Sequence, residues 1–318
     1  MSAVTADQRA GAAGTPVPAS PTKKRGRRAP ASRVHLAGWG FVTPFLVAFA
    51  LAFLAPLAYS VYLSLFRNQL IGGNQFVGIQ NYLAAFSDGK FWDGALRVGL
   101  FLAVQVPVML AIALVAALAI DSGRLHGKSF FRIAIFLPYA VPGVVAVLMW
   151  GFMYSDRMGL TGHLNDWVGF ALFTPYTKQW ILVAIGNIVT WEFVGYNMLI
   201  FYSALRTIPG ELYEAAALDG AGQFRIVRAV KLPALRGAIV IATIFSIIGS
   251  FQLFNEPNIL KTIVPTLIST SYTPNMYAYN LSFVGQQVNY AATIAIIMGV
   301  LTAVIAYVVQ LRASREND

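Results

Sequence analysis

The chain has 318 residues, of which 57% are hydrophobic and only 11% are charged, and its formal net charge is +10. Soluble domains carry charge on about a quarter of their residues, so this composition excludes a water-soluble protein and indicates an integral membrane protein. Cysteine is absent, which excludes a disulfide framework, a thiolate metal site and a Cys nucleophile.

The N-terminal segment 1–35 is rich in Ala, Gly, Thr, Pro and Ser and contains the basic run KKRGRR at 23–28. It carries too little apolar surface to fold by itself. We predict a disordered, basic cytoplasmic tail that anchors the first span. A nucleic-acid patch is the weaker alternative, and a cleaved signal peptide would have a shorter and earlier apolar segment.

Six apolar segments are long enough to cross a bilayer, which requires roughly 20 mostly apolar residues per helix. In chain order they are 37–66, 95–120, 130–154, 180–205, 237–256 and 287–311. Strands are not expected, because the segments lack polar–apolar alternation and an open sheet edge cannot face lipid. Their prolines are expected to kink helices without dividing a span. The sequence therefore predicts an all-α integral membrane protein with six transmembrane helices.

The Lys and Arg residues predict the orientation of this bundle. With the N-terminus inside, six of the 23 basic residues fall outside and the remaining seventeen fall inside. The outer six are Arg67, Lys90, Arg97, Arg157, Lys178 and Lys261. Because basic residues are in excess in cytoplasmic loops, both termini are predicted to be cytoplasmic, with outer loops at 67–94, 155–179 and 257–286.

The sequence contains no motif typical of catalysis or metal binding. His35, His126 and His163 lie in three separate segments on both sides of the predicted membrane, which argues against a metal cluster or a hydrolase triad. The run SGRLHGKS at 122–129 lacks the first Gly of a phosphate-binding loop. We predict no catalytic residue, no metal and no cofactor on this chain.

Polar and aromatic side chains in the fourth and fifth spans are candidates for a transport pathway, because polar groups in lipid are costly and usually face protein or water. The candidates are Trp191, Glu192, Tyr196, Ser246, Ser250 and Gln252, with Leu253 on the predicted helical face of the serines. Helix packing explains the serines equally well, and an aromatic girdle is the alternative for the two rings. Glu192 has three interpretations: a protonated structural acid, a proton relay or a ligand-binding carboxylate.

The charged stretch IPGELYEAAALDGAGQFRIVRAVKLP at 208–233 predicts a helical hairpin between the fourth and fifth spans. Pro209 favours a helix start, the acids Glu211 and Glu214 suit the first turns, and Gly220 favours a stop. A second short helix is expected over 221–230, before Pro233 opens the fifth span. The small Ala surface suits insertion into the cleft of another protein, whereas a lipid-bound helix would need larger apolar residues.

The spacing Glu214-Ala215-Ala216, Gly220, Val230-x-Leu232-Pro233 resembles the EAA loop of ABC-importer membrane subunits, with Val where Ile is usual. The resemblance implies a cytoplasmic coupling helix that docks into an ATPase subunit. The coupling residues it implies are Glu214, Ala215, Ala216, Asp219, Gly220, Val230, Leu232 and Pro233. It further implies a second permease subunit in a heterodimer, two ATPase subunits that bind ATP and Mg²⁺, and a solute-binding protein or lipoprotein outside the prokaryotic cytoplasmic (inner) membrane.

Other segments are similar to the carbohydrate branch of that family, which includes sugar-phosphate permeases and the larger membrane subunit of maltose importers. They are FVGIQNYLAAFSD at 76–88 and FLPYAVPGVVAVLMWGFMYS at 136–155. By this resemblance, Trp191, Tyr196 and Ser246 match positions that line the sugar site, and Ser250 and Leu253 stand at lining positions where the maltose-type subunit has Asn.

We therefore predict a permease subunit of an ATP-driven importer for a sugar or oligosaccharide. The expected domains are the tail 1–35, a six-helix transmembrane domain 36–312 and a cytoplasmic tail 313–318. One alternative is a proton-coupled secondary transporter with Glu192 or Glu256 as the relay, although such proteins usually show two related halves. The other is an importer permease for a non-sugar solute such as a polyamine or phosphate.

Overall fold

The computed structural model describes residues 31–69, 73–123 and 125–315. Most of the predicted N-terminal tail and the last three residues of the predicted C-terminal tail lie outside the described residues. The chain divides after Ala55 into two units. In the first unit, α1 (Ala31–Phe49) leads into a π-helical turn (Ala50–Leu54). This helix begins before the predicted domain boundary at 36, directly after Pro30, and no further proline follows until Pro44.

From α2 onward the second unit consists almost entirely of helices. They are α2 (Ala55–Ser64), α3 (Gln80–Phe86), α4 (Gly89–Asp121), α5 (Lys128–Phe136), α6 (Gly143–Met153), α7 (Leu160–Val168), α8 (Ile181–Leu205), α9 (Gly210–Leu218), α10 (Gln223–Ile226), α11 (Leu232–Ala234), α12 (Arg236–Phe251), α13 (Asn255–Ile263), α14 (Pro274–Phe283) and α15 (Val288–Arg315). A 3₁₀ turn (Leu137–Ala140) joins α5 to α6, and a π-helical turn (Val227–Lys231) joins α10 to α11.

Four described helical segments are long and apolar enough to cross a membrane. They are Trp39–Ser64, Gly89–Asp121, Ile181–Leu205 and Val288–Ala313. Two bent helix pairs also qualify when each is taken as one span: Lys128–Ala140 with Gly143–Met153, bent by 98°, and Gln223–Ala234 with Arg236–Phe251, bent by 63°. The structure therefore contains four to six candidate spans, at the positions of the six predicted segments.

Two of the predicted spans are interrupted. The segment predicted at 130–154 breaks at Val141, which is extended with φ −75° and ψ 131°, because Pro142 disfavours a helical residue before it. The segment predicted at 237–256 ends at Phe251. There the side chains of Asn275 and Thr273 donate to the carbonyls of Phe251 and Leu253. The prediction that Leu253 lies on the same helical face as Ser246 and Ser250 was therefore wrong.

One loop outside the candidate spans contains two strands, which is an exception to the predicted all-α fold. Strands β1 (Phe66–Gln69) and β2 (Gly73–Phe76) form an antiparallel pair in which Phe66 is opposite Phe76. Their rings contact edge to face, with centroids 5.3 Å apart. Such aromatic cross-strand pairs stabilise short hairpins.

The second helix of the charged hairpin is longer than predicted. It passes from α10 through the π-helical turn into α11, and Pro233 lies in the first turn of α11. A proline is tolerated there because the N–H groups of a first turn lack helical partners. The bend before α12 therefore follows Pro233 instead of preceding it.

Helices α4 and α8 form the centre of the second unit. Three buried apolar clusters surround them, and α4 contributes to each, through Phe101, Val98 and Ala113. The outward side of α4 carries exposed apolar residues, among them Leu96, Leu100, Val104, Val108 and Ile112. A stripe of this size on a helix is expected in lipid or against another membrane protein.

Candidate transport cavity and coupling hairpin

A cavity of about 410 Å³ lies between α4, α8 and the end of α12. Its α4 wall consists of Phe101, Gln105 and Met109, and its α8 wall of Val189, Phe193, Tyr196 and Asn197. Helix α12, the loop after it and the start of α13 contribute Ser246, Ser250, Gln252, Leu253, Asn255 and Glu256, among others. The cavity therefore brings together five of the seven predicted pathway residues: Tyr196, Ser246, Ser250, Gln252 and Leu253.

The polar groups of the cavity fall into two kinds. Some are held by the protein: Ser250 Oγ donates to the carbonyl of Ser246 at 2.8 Å, and Asn197 Nδ2 donates to the carbonyl of Phe193 at 3.0 Å. Gln105 Nε2 donates to Thr190 Oγ1 at 3.3 Å. The side chains of Ser246 and Gln252 form no hydrogen bond within the described part of the chain, so they are free to bind a polar solute.

Two stacked tyrosines line the cavity together with Phe101, Phe193 and Phe245. The Tyr139 and Tyr196 rings stack with centroids 5.0 Å apart and planes 19° from parallel. Tyr139 also contacts Phe193 edge to face at 5.8 Å. Tyr139 is carried by the 3₁₀ turn between α5 and α6, so the helix break at Pro142 positions one of the rings.

Trp191 and Glu192 do not line this cavity. The Trp191 ring packs edge to face on Trp150, with centroids 5.9 Å apart. Glu192 is buried, with 5% of its surface exposed, and a Cβ atom at Gly143 would lie 3.5 Å from its Oε1 atom. The Trp191 ring therefore faces α6, whereas Glu192 lies beside Gly143 at the start of α6, one helical turn before Tyr196 on the same side of α8.

Sequence reasoning missed several cavity residues. Gln105 is a polar residue in an apolar segment. The search for polar side chains that was applied to the fourth and fifth spans would have found it in the second span. Tyr139 could have been noticed between Pro138 and Pro142, because proline-broken helices often line sites in membrane proteins. Phe101 and Met109 are ordinary apolar residues, and only the packing of α4 on α8 places them at the cavity.

The hairpin starts and stops as its sequence predicts. Pro209 precedes α9, and Glu211 lies in its first turn. Gly220 has φ +72°. The Ala221 N–H donates to the carbonyl of Ala216 at 2.9 Å, and the Gly220 N–H to that of Ala217 at 3.0 Å. These two bonds and the left-handed residue form a Schellman motif.

The surface of the hairpin is more apolar than its alanines alone suggest. Leu218 is 90% exposed and Phe224 is 80% exposed, on either side of the turn. Glu214, Ala215 and Asp219 are also exposed, and Ala216, Val230 and Leu232 are half-buried, with Pro233 exposed. Two large apolar side chains beside carboxylates, outside a predicted span, are typical of a protein-binding surface.

No group of three or more His, Asp or Glu residues within the described ranges could hold a metal ion.

Comparison with known proteins gives the same family as the motif. The model of the family "binding-protein-dependent transport system inner membrane component" matches residues 82–316. The lactose transport system permease protein of Rhizobium radiobacter is 30% identical over 88% of this chain and 94% of its own length. The diacetylchitobiose uptake system permease protein of Streptomyces coelicolor is 32% identical over 74% of this chain and 70% of its own length.

A solved structure has the same fold. A chain of a bacterial ABC transporter involved in the import of the acidic polysaccharide alginate superposes with a TM-score of 0.75 at 16% identity, over 89% of this chain and 96% of that chain. With a family model that covers most of the sequence, this chain belongs to the inner membrane components of binding-protein-dependent transport systems.

Proposed function

We propose that the chain is the membrane-spanning permease subunit of an ATP-driven importer, and that its solute is a sugar or oligosaccharide. The cavity is the observation that carries this proposal. Its volume of about 410 Å³ is in the range of small-molecule sites. A sugar presents an apolar ring face and many hydroxyls, and the cavity offers the ring of Tyr196 beside Ser246 and Gln252.

The contacts support a consistent arrangement of the two membrane faces. On one side, Asp121 at the end of α4 contacts Lys231 of the hairpin. On the other side, Asp88 before α4 contacts Tyr277 and Tyr290. We propose that the hairpin side is cytoplasmic, as the basic residues indicate, that each bent pair forms one of six spans, and that both termini lie in the cytoplasm.

We propose that the hairpin is the coupling element of this importer. In this mechanism a solute-binding protein delivers the solute outside, and two ATPase subunits close on ATP. The exposed Leu218 and Phe224 enter an ATPase cleft, and Glu214 adds charge-assisted hydrogen bonds there. The hairpin then moves the spans, which open the cavity outward, and a second permease subunit supplies the other half of the pathway.

The domain limits follow the same proposal. Residues 36–312 form the transmembrane domain, and the basic tail at 1–35 stays in the cytoplasm as an anchor. Residues 313–318 form a short cytoplasmic tail. This chain binds neither nucleotide nor metal in the proposed cycle.

The test is uptake by cells from which the gene for this chain has been deleted. Accumulation of labelled lactose, diacetylchitobiose, spermidine and phosphate is compared with that of the parent, and with the deletion strain complemented by the intact gene. We expect loss of uptake of at least one sugar, restored by complementation, with spermidine and phosphate unaffected. Loss of spermidine or phosphate uptake with normal sugar uptake would contradict the proposed solute class. Uptake that stops with an uncoupler while ATP stays constant would contradict ATP-driven transport.

A further inference from the structure

A buried ion pair connects the hairpin to the far end of the helix that lines the cavity. Lys231 Nζ lies 2.6 Å from Asp121 Oδ2, and their side chains are only 7% and 11% exposed. It is the one ion pair among the residues that the structure describes. Removing two charges from water is costly unless they pair closely, so each residue depends on the other.

The positions of both residues make the pair unusual. Asp121 is the last residue of α4, where a negative charge opposes the helix dipole. Lys231 is the last residue of the π-helical turn, and such turns are frequent at functional sites. Helix α4 gains no local stability from Asp121, so the position of this carboxylate is explained by its contact with Lys231.

The pair also contacts the first helix of the hairpin. Lys231 Nζ lies 5.5 Å from the centre of the Tyr213 ring in α9, within the distance of a cation–π contact. Three elements therefore meet at Lys231: the end of α4, the helix α9 and the π-helical turn. A movement of the hairpin cannot leave α4 in place without breaking these contacts.

The hairpin has room to move while this contact holds. A cavity of about 550 Å³ separates it from the ends of α4 and α8, and Leu205, Tyr213, Gln223 and Lys231 are among its lining residues. The hairpin is therefore not in contact with the ends of α4 and α8 along its whole length. The ion pair bridges one side of this space.

Helix α4 continues without a break from the pair to the transport cavity. Met109 lies twelve positions before Asp121, which is about 18 Å along a helix, and it lines the cavity with Gln105. The hairpin is joined covalently to the cavity by α8 on its N-terminal side and by α12 on its C-terminal side, and the route through α12 contains a bend of 63°. The route through the ion pair contains no such bend.

We propose that Asp121 and Lys231 are positioning residues that transmit hairpin movement to α4, and thereby open the cavity when the ATPase subunits close. We call this contact the α4 link. The inference rests on the proposed function, because it assumes that the hairpin couples to ATPase subunits. The inference adds that coupling needs a route through α4 besides the covalent connections through α8 and α12, and that Asp121 and Lys231 form this route.

The experiment uses the importer as it assembles, purified through a tag on this chain and placed in lipid vesicles. Ser246→Cys serves as the reporter at the cavity, since the chain has no other Cys. A membrane-impermeant maleimide is added from the outer face, with and without trapping by ATP and vanadate. Asp121→Asn, Lys231→Met and the reversed pair Asp121→Lys/Lys231→Asp are compared. Asp93→Asn and Lys90→Met, exposed residues on α4, are the matched controls.

We expect trapping to increase labelling of the parent and of both controls. In the two single variants, vanadate should still trap nucleotide, while the increase in labelling falls at least threefold. The reversed pair should restore much of it. A purely structural role would lower assembly and trapping together, and it would not separate trapping from labelling.

Two results would overturn the proposal in distinguishable ways. Labelling in Asp121→Asn and Lys231→Met equal to the parent would refute the α4 link alone. Absence of trapping-dependent labelling in the parent itself would refute the proposed pathway function, and the link with it.

Discussion

The phenol of Tyr277 donates a hydrogen bond of 2.7 Å to Asp88 Oδ2, although the two residues are 189 positions apart in the chain. Tyr290 donates to the same oxygen at 2.8 Å. The other carboxylate oxygen accepts the N–H of Lys90 at 2.9 Å and caps α4. One carboxylate thus fixes the start of α4 to α14 and α15, at the end opposite the α4 link.

These contacts predict that Asp88 stabilises the protein in a pH-dependent way. Burial alone would raise the pKa of Asp88, but the hydrogen bonds from Tyr277, Tyr290 and the backbone outweigh it and hold the pKa below its ordinary value. Such a carboxylate stabilises the fold above its unfolded pKa of about 4, and this stability is lost as the pH falls through the folded pKa. Asp88→Asn should therefore lower stability at pH 7 by about 1 kcal/mol, a reduced value because the site is partly solvated.

Thermal unfolding in detergent at pH 7 and near pH 3 checks this prediction. The difference between Asp88→Asn and the parent should shrink at the lower pH. Asp93→Asn, an exposed acid in the first turns of α4, is the control and should change little at either pH. An equal loss of stability at both pH values would show that the charge of Asp88 is irrelevant.

Gly195 is predicted to be intolerant of any side chain. A Cβ atom there would overlap the carbonyl oxygen of Ile135 in α5, so the backbones of α5 and α8 would have to separate. Overpacking of this kind costs about 1–3 kcal/mol. Gly195→Ala should lower the unfolding temperature and also reduce transport, because α5 leads into the turn that carries Tyr139.

Gly99→Ala is the matched control for this prediction. A Cβ atom at Gly99 in α4 meets no heavy atom within 4 Å, and Ala favours a helix over Gly by about 0.5–1 kcal/mol. The control should therefore be as stable as the parent or slightly more stable. Normal stability of Gly195→Ala would contradict the close approach of the two helices.

Gly220 and Gly222 form a second matched pair, within the hairpin. Gly220 has φ +72°, whereas Gly222 has φ −68°, and neither has a heavy atom near its Cβ position. A side chain in the left-handed region costs about 1–2 kcal/mol, so Gly220→Ala should distort the turn and Gly222→Ala should not. In the assembled importer, Gly220→Ala should retain less ATPase subunit after washing, and Gly220→Asp still less because it adds a charge.

Insertion of these variants in the membrane should be normal, since neither position lies in a candidate span. Membrane levels of this chain, measured with the co-purified ATPase, separate coupling from folding. Full ATPase retention and full stimulation by loaded binding protein in Gly220→Asp would show that the hairpin is not the coupling element.

The helices and turns could be predicted because they depend on local signals: the length of each apolar segment and the positions of Gly and Pro. The Schellman turn at Gly220 and the positions of the apolar segments are examples. The helix break at Val141 was missed because prolines were expected to kink membrane helices, and α4 indeed passes through Pro107. Whether a proline breaks a membrane helix or is tolerated within it depends on tertiary contacts, and the sequence of one segment does not show these contacts.

The candidate site could be predicted only in part for the same reason. Polarity identified Tyr196, Ser246, Ser250 and Gln252, all of which line the cavity. It did not distinguish the faces of α8, so Trp191 was grouped with Tyr196 although its ring packs on Trp150 of α6. Nor did it show that Glu192, one turn before Tyr196, is buried and does not line the cavity. The pairing of Asp121 with Lys231 joins residues 110 positions apart, and only the packed structure reveals it.

The orientation of the membrane faces gives a further prediction. Single Cys residues at exposed positions can be labelled selectively, because the chain has no native Cys. His126→Cys and Gly222→Cys should react only from the cytoplasm, and Asn74→Cys and His163→Cys only from outside. All four positions are exposed. Labelling of Gly222→Cys from outside would reverse the orientation and separate the hairpin from any cytoplasmic ATPase.

Two aromatic residues of α8, Tyr196 and Trp191, should differ in their effect on transport. Tyr196 lines the cavity and stacks on Tyr139, whereas Trp191 packs on Trp150 away from it. If Tyr196 stacks on the sugar, Tyr196→Ala should lose about 1–2 kcal/mol of solute binding, which is about 5- to 30-fold in apparent affinity. Tyr196→Phe keeps the ring and should lose much less. Trp191→Ala removes packing, so it should lower the unfolding temperature with little change in the KM of the importer.

The measurement is the concentration dependence of labelled lactose or diacetylchitobiose uptake in membranes with equal amounts of assembled complex. A rise in KM for Trp191→Ala with none for Tyr196→Ala would move the pathway to the side of α8 on which Trp191 packs against Trp150.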